Sequence, residues 1–212
     1  MSESDLSRRG VLAAACGLAA ASAPAAEAAT APRVCLLGDS ITAGYGLPAS
    51  QALPARLQGE LARLGHAVRI APAGVNGSTT AGALARVDRA AAGAKVCVVA
   101  LGGNDLLTGA EPAQVKRNLD GIVRRLQARG IRVVLAGLRV PPILNGAWAT
   151  AFNDAFTSVA REHRLVFVPD MLGGVALNPR LNQPDGIHPN AQGVELIARR
   201  MAPFVARALA AG

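Results

Sequence analysis

The chain has a serine near its start and a histidine near its end. Side chains of these two types can together catalyse the cleavage of an ester. Ser40 stands in LLGDSITAGYG, directly after a short apolar run, and His188 stands in LNQPDGIHPN with Asp185 three residues before it. A serine hydroxyl is a weak nucleophile at neutral pH and needs a base that removes its proton. Because a carboxylate can hold a histidine in the required tautomer, the pattern predicts Ser40 as nucleophile, His188 as base and Asp185 as the acid that orients it.

Ester cleavage also needs hydrogen-bond donors aimed at the developing oxyanion. The sequence offers three candidates: the backbone N–H of Ser40, the backbone N–H of Gly77 in NGSTT, and the side-chain amide of Asn104 in LGGND. A residue between a strand and a helix N-terminus, as predicted for Ser40, lies where negative charge is favoured. We therefore predict an oxyanion hole formed by these three groups.

Each of these residues also has a purely structural interpretation. Ser40 is a suitable helix N-cap, Asp39 a turn residue, and His188 a polar residue just before a helix. Taken alone, Gly77 is a turn glycine and Asn104 the start of an Asx turn. The catalytic interpretation therefore depends on whether the fold brings these residues together.

The remaining histidines and cysteines do not indicate a second chemical site. His66 and His163 stand near predicted helix ends and are expected on the surface. Cys35 and Cys97 fall in predicted neighbouring strands, where we expect two buried free thiols because adjacent parallel strands rarely offer disulfide geometry. The sequence contains no CxxC or Cys/His cluster, so we predict no metal site.

Short apolar runs alternate with helical patterns from residue 33 onward, which predicts one α/β domain. The expected strands are 34–37, 68–71, 96–101, 131–138 and 165–168. Strand and helix in alternation favour a three-layer α/β/α sandwich, flavodoxin-like, with a five-stranded parallel sheet in the order 2-1-3-4-5. Ligands bind such sheets at the carboxyl ends of the strands, where all the motifs above fall.

Several helix boundaries can be predicted from single residues. Gly65 and Gly130 each follow a helical pattern where a left-handed cap is expected, and Pro112 suits the first turn of a helix. The last helix, 190–210, contains Pro203, so a kink or break is expected there.

The first 28 residues are predicted to be an export signal and not part of the fold, which leaves 29–212 as the hydrolase domain. Arg8 and Arg9 precede a mildly apolar, Ala-rich stretch, which resembles a twin-arginine signal; the alternative is an ordinary secretory signal with two basic residues. Cleavage is expected after Ala28. Ala13, three residues before Cys16, is a poor lipoprotein match, so no stable membrane anchor is expected. The mature chain is thus predicted to be periplasmic or extracellular.

Composition argues against nucleic acid as a partner. The net charge is +8, but the basic residues are spread over every predicted helix without a run of five, and aromatic residues make up only 3%. Such a chain favours a solvated arginine-rich surface over base stacking. The expected partner is a small ester substrate.

Taken in order, the motifs resemble the SGNH (GDSL-type) hydrolase family, in its branch of small bacterial thioesterase/lysophospholipase-like arylesterases. The matching blocks are Gly38-Asp39-Ser40, Gly77, Gly102-x-Asn104-Asp105 and Asp185-x-x-His188. The resemblance implies the same triad and oxyanion hole, a flavodoxin-like fold and no cofactor. We expect hydrolysis of carboxylic esters or thioesters through an acyl-enzyme. Short- to medium-chain acyl or aryl esters are expected because of the apolar segment 140–144, and not because of the resemblance.

Three residues depart from the family pattern. Ser78 replaces the usual aspartate, which is expected to loosen the loop that presents Gly77, Thr108 replaces an arginine, and Trp148 stands where a tyrosine is common. The apolar segment 140–144, VPPIL, suits the rim of an acyl pocket, or else only packs the loop after strand four. A lysophospholipase, a carbohydrate acetyl esterase and a non-catalytic ligand-binding module are the alternatives.

Overall fold

The computed structural model describes residues 31–140 and 146–211. The strands are β1 Arg33–Gly38, β2 Arg69–Gly74, β3 Val96–Ala100, β4 Arg132–Ala136 and β5 Val166–Val168. The α-helices are α1 Ser40–Ala43, α2 Leu53–Arg63, α3 Thr80–Ala90, α4 Gly103–Leu107, α5 Pro112–Ala128, α6 Ala147–Glu162 and α7 Ala191–Ala210. A 3₁₀ turn, Ala49–Gln51, precedes α2.

The five strands form one parallel sheet in the order β2-β1-β3-β4-β5, which confirms the predicted architecture. Helices α2 and α7 cover one face, and α3, α5 and α6 cover the other. Successive residues of β1 alternate between these two layers, so Val34 packs under the first pair of helices and Cys35 under the second set. The central strands are therefore buried on both faces.

Strand boundaries differ from the expected ones most at β2 and β4. β2 runs on to Gly74, although it was expected to end at 71, and it is only partly buried because it lies at the sheet edge. That position also accommodates Pro72, since an edge strand can lose one donor. β4 ends at Ala136, two residues before the expected end, although the Gly137 N–H still donates to the Val168 carbonyl at 2.8 Å.

The predicted helix ends are confirmed, whereas the predicted break at Pro203 is not. Gly65 and Gly130 have φ of 81° and 68°, and α5 begins at Pro112. α7 continues through Pro203, whose missing N–H lies on the solvent side. The carbonyl of Arg199, which loses its helical partner there, is thus left at the exposed face, while Met201 and Val205 remain packed on the sheet.

The predicted export signal, 1–28, and most of the predicted rim, 141–144, lie outside the described residues. Within the described part of the chain, no helix is long and apolar enough to cross a membrane. Cys35 and Cys97 are both fully buried, lie opposite each other in register on β1 and β3, and are free thiols, as expected.

Candidate functional site

The end of β1 forces a sharp turn that presents Ser40. Gly38 is the last residue of the strand, and a side chain there would collide with the Ala100 carbonyl and with Thr42, so only glycine fits. Asp39 caps α1 by accepting a hydrogen bond from the Ile41 backbone N–H at 3.0 Å. Ser40 is therefore the first residue of α1 and not its N-cap, and its hydroxyl is free for another partner.

His188 is held in a loop that closes back on itself before α7. The Gln183 N–H donates to the His188 carbonyl at 2.7 Å, and Asn182 forms an isolated antiparallel bridge with Pro189. Asn190 then caps α7 through its side-chain oxygen. The backbone on both sides of His188 is thus fixed by hydrogen bonds.

The fold brings Ser40, His188 and Asp185 into one hydrogen-bonded chain. His188 Nε2 lies 2.9 Å from Ser40 Oγ, and His188 Nδ1 lies 2.6 Å from Asp185 Oδ2. An ionised carboxylate can only accept hydrogen bonds, so it places the proton on Nδ1 and leaves Nε2 as an acceptor for the Ser40 hydroxyl. This geometry is suited to proton removal from Ser40.

Asp185 is an ionised carboxylate throughout the usual pH range. Hydrogen bonds from the backbone N–H and the ring of His188, and from the Ile187 N–H, lower the pKa of Asp185 to about 2. Each of these bonds favours the charged form. The carboxylate that faces His188 therefore stays negative.

A second carboxyl lies directly beside Ser40 in a very different environment. Asp39 is 5% exposed, and this burial raises its pKa from 3.8 to about 6, although its bond from the Ile41 N–H opposes the shift. Since the folded pKa exceeds the unfolded one, protonation of Asp39 stabilises the fold at low pH, and this stabilisation is lost as pH rises through 6.

Asp39→Asn removes this titration and keeps the helix cap, because asparagine caps equally well. The unfolding free energy of the wild type should fall relative to that of Asp39→Asn by about 3 kcal/mol as pH rises from 3.8 to above 6. Urea unfolding of both proteins across this pH range measures the difference. Parallel pH profiles for the two proteins would show that Asp39 does not titrate as the burial predicts.

The three candidate oxyanion donors come from adjacent strands. Ser40, Gly77 and Asn104 follow β1, β2 and β3, which are neighbours in the sheet. Among the described residues, the backbone N–H groups of Ser40 and Gly77 have no hydrogen-bond acceptor. Gly77 has a φ of 74°, and space for a side chain is open there, so glycine is required for backbone conformation and not for packing.

The loop that carries Gly77 is held in place, although loosening was expected from Ser78. Asn104 Nδ2 donates to the Ser78 carbonyl at 3.1 Å. Arg86 donates to the Ala73 and Gly38 carbonyls, each at 2.7 Å, and to Ser78 Oγ at 3.3 Å. The Arg86 side chain thus ties the ends of β1 and β2 to this loop without a carboxylate at position 78.

A buried polar network joins the same loop to the helix that carries Asn104. Asp105, 2% exposed, accepts from the Thr80 backbone N–H at 2.9 Å and from Thr80 Oγ1 at 2.6 Å. Asn118 donates to Thr80 Oγ1 at 3.0 Å, and Gln114 donates to Asn118. Asp105 lies in the LGGND motif, but the sequence alone assigns no role to it. For Arg86, the sequence indicates only a position on a helix and none of these contacts.

Tyr45 is a further site residue that sequence reasoning missed. Its ring lies 4.4 Å from the His188 ring, centroid to centroid, at a tilt of 34°. Gln183 Nε2 donates to the Tyr45 carbonyl at 2.9 Å and so links this segment to the His188 loop. Tyr45 stands five positions after Ser40 in the sequence, and this closeness is the feature that could have indicated its place in the site.

The other histidines lie away from Ser40, and the His163 side chain joins two helices. His163 was expected on the surface, yet its Nε2 lies 2.7 Å from Asp120 Oδ1 and its Nδ1 3.1 Å from Gln127 Oε1. These contacts join the end of α6 to α5. His66 is partly buried after α2, where its N–H donates to the Leu61 carbonyl in the helix cap.

Exposed apolar side chains flank the site. Tyr45, Val75, Leu107 and Ile187 are 48%, 49%, 64% and 51% exposed. Each stands within five residues of one of the candidate site residues Ser40, Gly77, Asn104 and His188. The segments that carry the candidate site residues thus expose apolar side chains.

The residues that depart from the family pattern are engaged in local structure. Thr108 Oγ1 donates to the Asn104 carbonyl at 2.8 Å, and Trp148 stacks on Phe152 at 5.2 Å. Val140, the only described residue of the predicted rim, is buried in the core and donates its N–H to Asn153. Residues 31–140 and 146–211 hold no cluster of three side chains able to bind a metal ion.

The known proteins that this chain resembles are esterases, thioesterases and acylhydrolases. Residues 36–196 match the model of the GDSL-like lipase/acylhydrolase family. The chain is 38% identical to esterase TesA of Pseudomonas aeruginosa over 77% of its own length and 82% of the relative's. It is 33% identical to thioesterase 1/protease 1/lysophospholipase L1 of Escherichia coli over 83% of its length and 84% of the relative's. The crystal structure of AlinE4, an SGNH-hydrolase family esterase, superposes with a TM-score of 0.69 at 39% identity, covering 85% of this chain and 98% of AlinE4.

Proposed function

The chain belongs to the GDSL-like lipase/acylhydrolase family and is a carboxylic ester hydrolase, and we propose that it acts through an acyl-enzyme on Ser40. The observation that carries this proposal is the unbroken hydrogen-bond chain from Ser40 Oγ through His188 to Asp185. A non-catalytic binding module, the alternative of another class, would have no use for an activated hydroxyl.

In the first half-reaction, Ser40 Oγ attacks the ester carbonyl while His188 Nε2 takes its proton. Asp185 stabilises the imidazolium that forms, and its low pKa keeps it charged while it does so. His188 then gives the proton to the departing alcohol, or thiol in a thioester. The acyl group remains bonded to Ser40.

In the second half-reaction, His188 removes a proton from a water molecule, which attacks the acyl carbon. His188 then returns this proton to Ser40 Oγ as the acyl–oxygen bond breaks, which releases the acid and restores the free enzyme. The oxyanion of both steps is proposed to be met by the N–H groups of Ser40 and Gly77 and by the Asn104 amide. Support comes from the two backbone N–H groups, which have no acceptor in the described chain, and from the second hydrogen of Asn104 Nδ2, since one donates to Ser78.

Asn104→Ala should lower kcat on p-nitrophenyl esters by about 10²- to 10³-fold, with a smaller change in KM, because the amide acts mainly on the transition state. Thr108→Val is a matched control at the residue that follows this short helix: it removes the hydroxyl that bonds the Asn104 and Asp105 carbonyls and leaves the Asn104 amide in place. Steady-state kinetics of both variants make the comparison. A KM-only effect of Asn104→Ala would assign the amide to substrate binding.

We propose short- to medium-chain acyl or aryl esters as substrates. The exposed apolar side chains of Tyr45, Val75, Leu107 and Ile187 around the site favour such groups over polar acetylated sugars. A panel of p-nitrophenyl esters of increasing chain length, with acetylated sugars and a lysophospholipid alongside, tests this. Acetate release from sugars that exceeds turnover of the acyl series would assign the chain to carbohydrate esters instead.

Export of the mature chain remains a proposal that rests on residues 1–28 of the sequence. Arg8 and Arg9, followed by the Ala-rich stretch, support a twin-arginine signal cleaved after Ala28. The enzyme would then act in the periplasm or outside the cell.

A further inference from the structure

Basic residues collect at the edge of the sheet opposite the proposed active site, where the strands begin. β1, β2 and β4 each start with an arginine, Lys95 immediately precedes β3, and Arg164 stands two residues before β5. These residues, Arg33, Arg69, Lys95, Arg132 and Arg164, are called the basic edge below. They are far apart in sequence, so the linear spread of charge did not reveal their grouping.

Backbone contacts join the starts of neighbouring strands, while the side chains of the basic edge lie on both faces of the sheet: Arg132 is in register with Val96 and donates to the Leu209 carbonyl of α7 at 3.3 Å. Arg33 and Arg69 are in register on neighbouring parallel strands, so their side chains project from the same face of the sheet. The Lys95 N–H donates to the Arg33 carbonyl at 2.8 Å, and the Arg132 N–H donates to the Lys95 carbonyl at 3.2 Å. Arg132 and Arg164 line one surface cavity of about 410 Å³.

No carboxylate neutralises the basic edge within the described chain. None of its five members forms an ion pair, and the segments 31–33, 64–69, 91–95, 129–132 and 163–166 contain no Asp or Glu. The acidic side chains at the nearby helix ends are already paired: Glu162 with Lys116 at 2.7 Å and Asp88 with Arg125 at 3.3 Å.

Like charges on neighbouring strands repel one another, and this repulsion is relieved when anions lie against them. Arg33 Nε is buried and has no hydrogen-bond partner in the described chain, so the surrounding strand ends do not compensate the charge of this guanidinium. The basic edge therefore has the properties of a surface that lacks its anionic partner.

The dimensions and composition of the edge distinguish between anionic partners. Five strands at a spacing of about 4.8 Å extend for about 19 Å, which is too wide for one small anion and suits a surface with many phosphates. The same segments contain no Phe, Trp or Tyr on which the bases of a nucleic acid could stack. The predicted export of the chain also separates it from nucleic acid.

We propose that the basic edge docks the protein on the headgroups of a negatively charged lipid bilayer. Binding is electrostatic and reversible, because the edge offers cations and no aromatic side chain for insertion. The site at Ser40 lies at the other end of β1, about 20 Å away for a strand of 6 residues. Docking thus turns the site toward solvent, where it meets soluble esters.

The test is sedimentation of the mature chain, 29–212, with vesicles of phosphatidylcholine alone or mixed with phosphatidylglycerol, so that the basic signal segment does not contribute to binding. We expect binding only to the mixed vesicles, with loss of binding at high salt. Arg69→Glu with Lys95→Glu should weaken it by at least about tenfold, because both residues belong to the edge. Both are exposed in the structure, so the fold should tolerate the change.

Arg117→Glu with Arg180→Glu is the matched control, since it reverses two exposed charges outside the basic edge. Equal loss of binding in both double variants would overturn the proposal, because net charge alone would then account for it. Equal binding to uncharged vesicles, or binding to DNA without binding to vesicles, would also overturn it. Turnover of a soluble ester should be the same for vesicle-bound and free enzyme, and a large loss on binding would contradict the proposed orientation.

Discussion

Ser40→Ala is expected to lower kcat on p-nitrophenyl acetate by about 10⁴- to 10⁶-fold, because it removes the atom that forms the acyl-enzyme. The variant should remain folded. Ser40 Oγ contributes only its bond to His188, and the cap of α1 comes from Asp39. Steady-state kinetics, with circular dichroism to verify folding, measure the effect.

Ser158→Ala is a suitable control, since that serine lies on α6 and belongs to none of the site loops. It should hydrolyse the ester at the wild-type rate. If Ser40→Ala retained more than a few per cent of wild-type turnover in carefully purified protein, the nucleophile would have to be another group.

His188→Ala should reduce kcat by about 10⁶-fold and Asp185→Ala by about 10⁴-fold. The base is lost entirely in the first variant. In the second, the imidazole can still accept the Ser40 proton, although in a less favoured tautomer and orientation. The 2.6 Å bond between His188 Nδ1 and Asp185 Oδ2 is the contact that this comparison tests.

His66→Ala and Asp154→Ala provide matched controls, because neither side chain belongs to the hydrogen-bond chain at Ser40, and both should retain wild-type turnover. Equal residual rates in His188→Ala and Asp185→Ala would argue against this division of roles between base and orienting acid.

The order of the strands and the edge at which the site lies could be predicted from the sequence. Alternating apolar runs and helical patterns leave few topologies, and parallel strands bring their carboxyl ends to one edge. Ser40, Gly77 and Asn104 follow three such strands, so their placement at that edge required no knowledge of side-chain contacts.

What could not be predicted depends on contacts between distant segments. Arg86 lies on α3, and only the packing of that helix against the strand ends brings its side chain to the Gly38 and Ala73 carbonyls. The continuous helix through Pro203 has the same origin. Proline weakens an isolated helix, but Pro203 faces solvent, while Met201 and Val205 on the same helix are packed on the sheet.

The sequence alone also does not decide whether Asp39 or Ser40 caps α1. Both residue types are good caps, and the one that caps depends on where the helix begins. The structure places that start at Ser40, one residue earlier than a Ser40 cap requires.

Covalent labelling with a fluorophosphonate tests most directly the claim that His188 activates Ser40 as a nucleophile. The reagent bonds to an activated serine, and peptide mass spectrometry then locates the label. We expect one label per chain on Ser40, strongly reduced in His188→Ala and absent when the protein is denatured in acid before the reagent is added. A native enzyme that hydrolyses esters yet carries no label, or carries it on another residue such as Ser78, would contradict it.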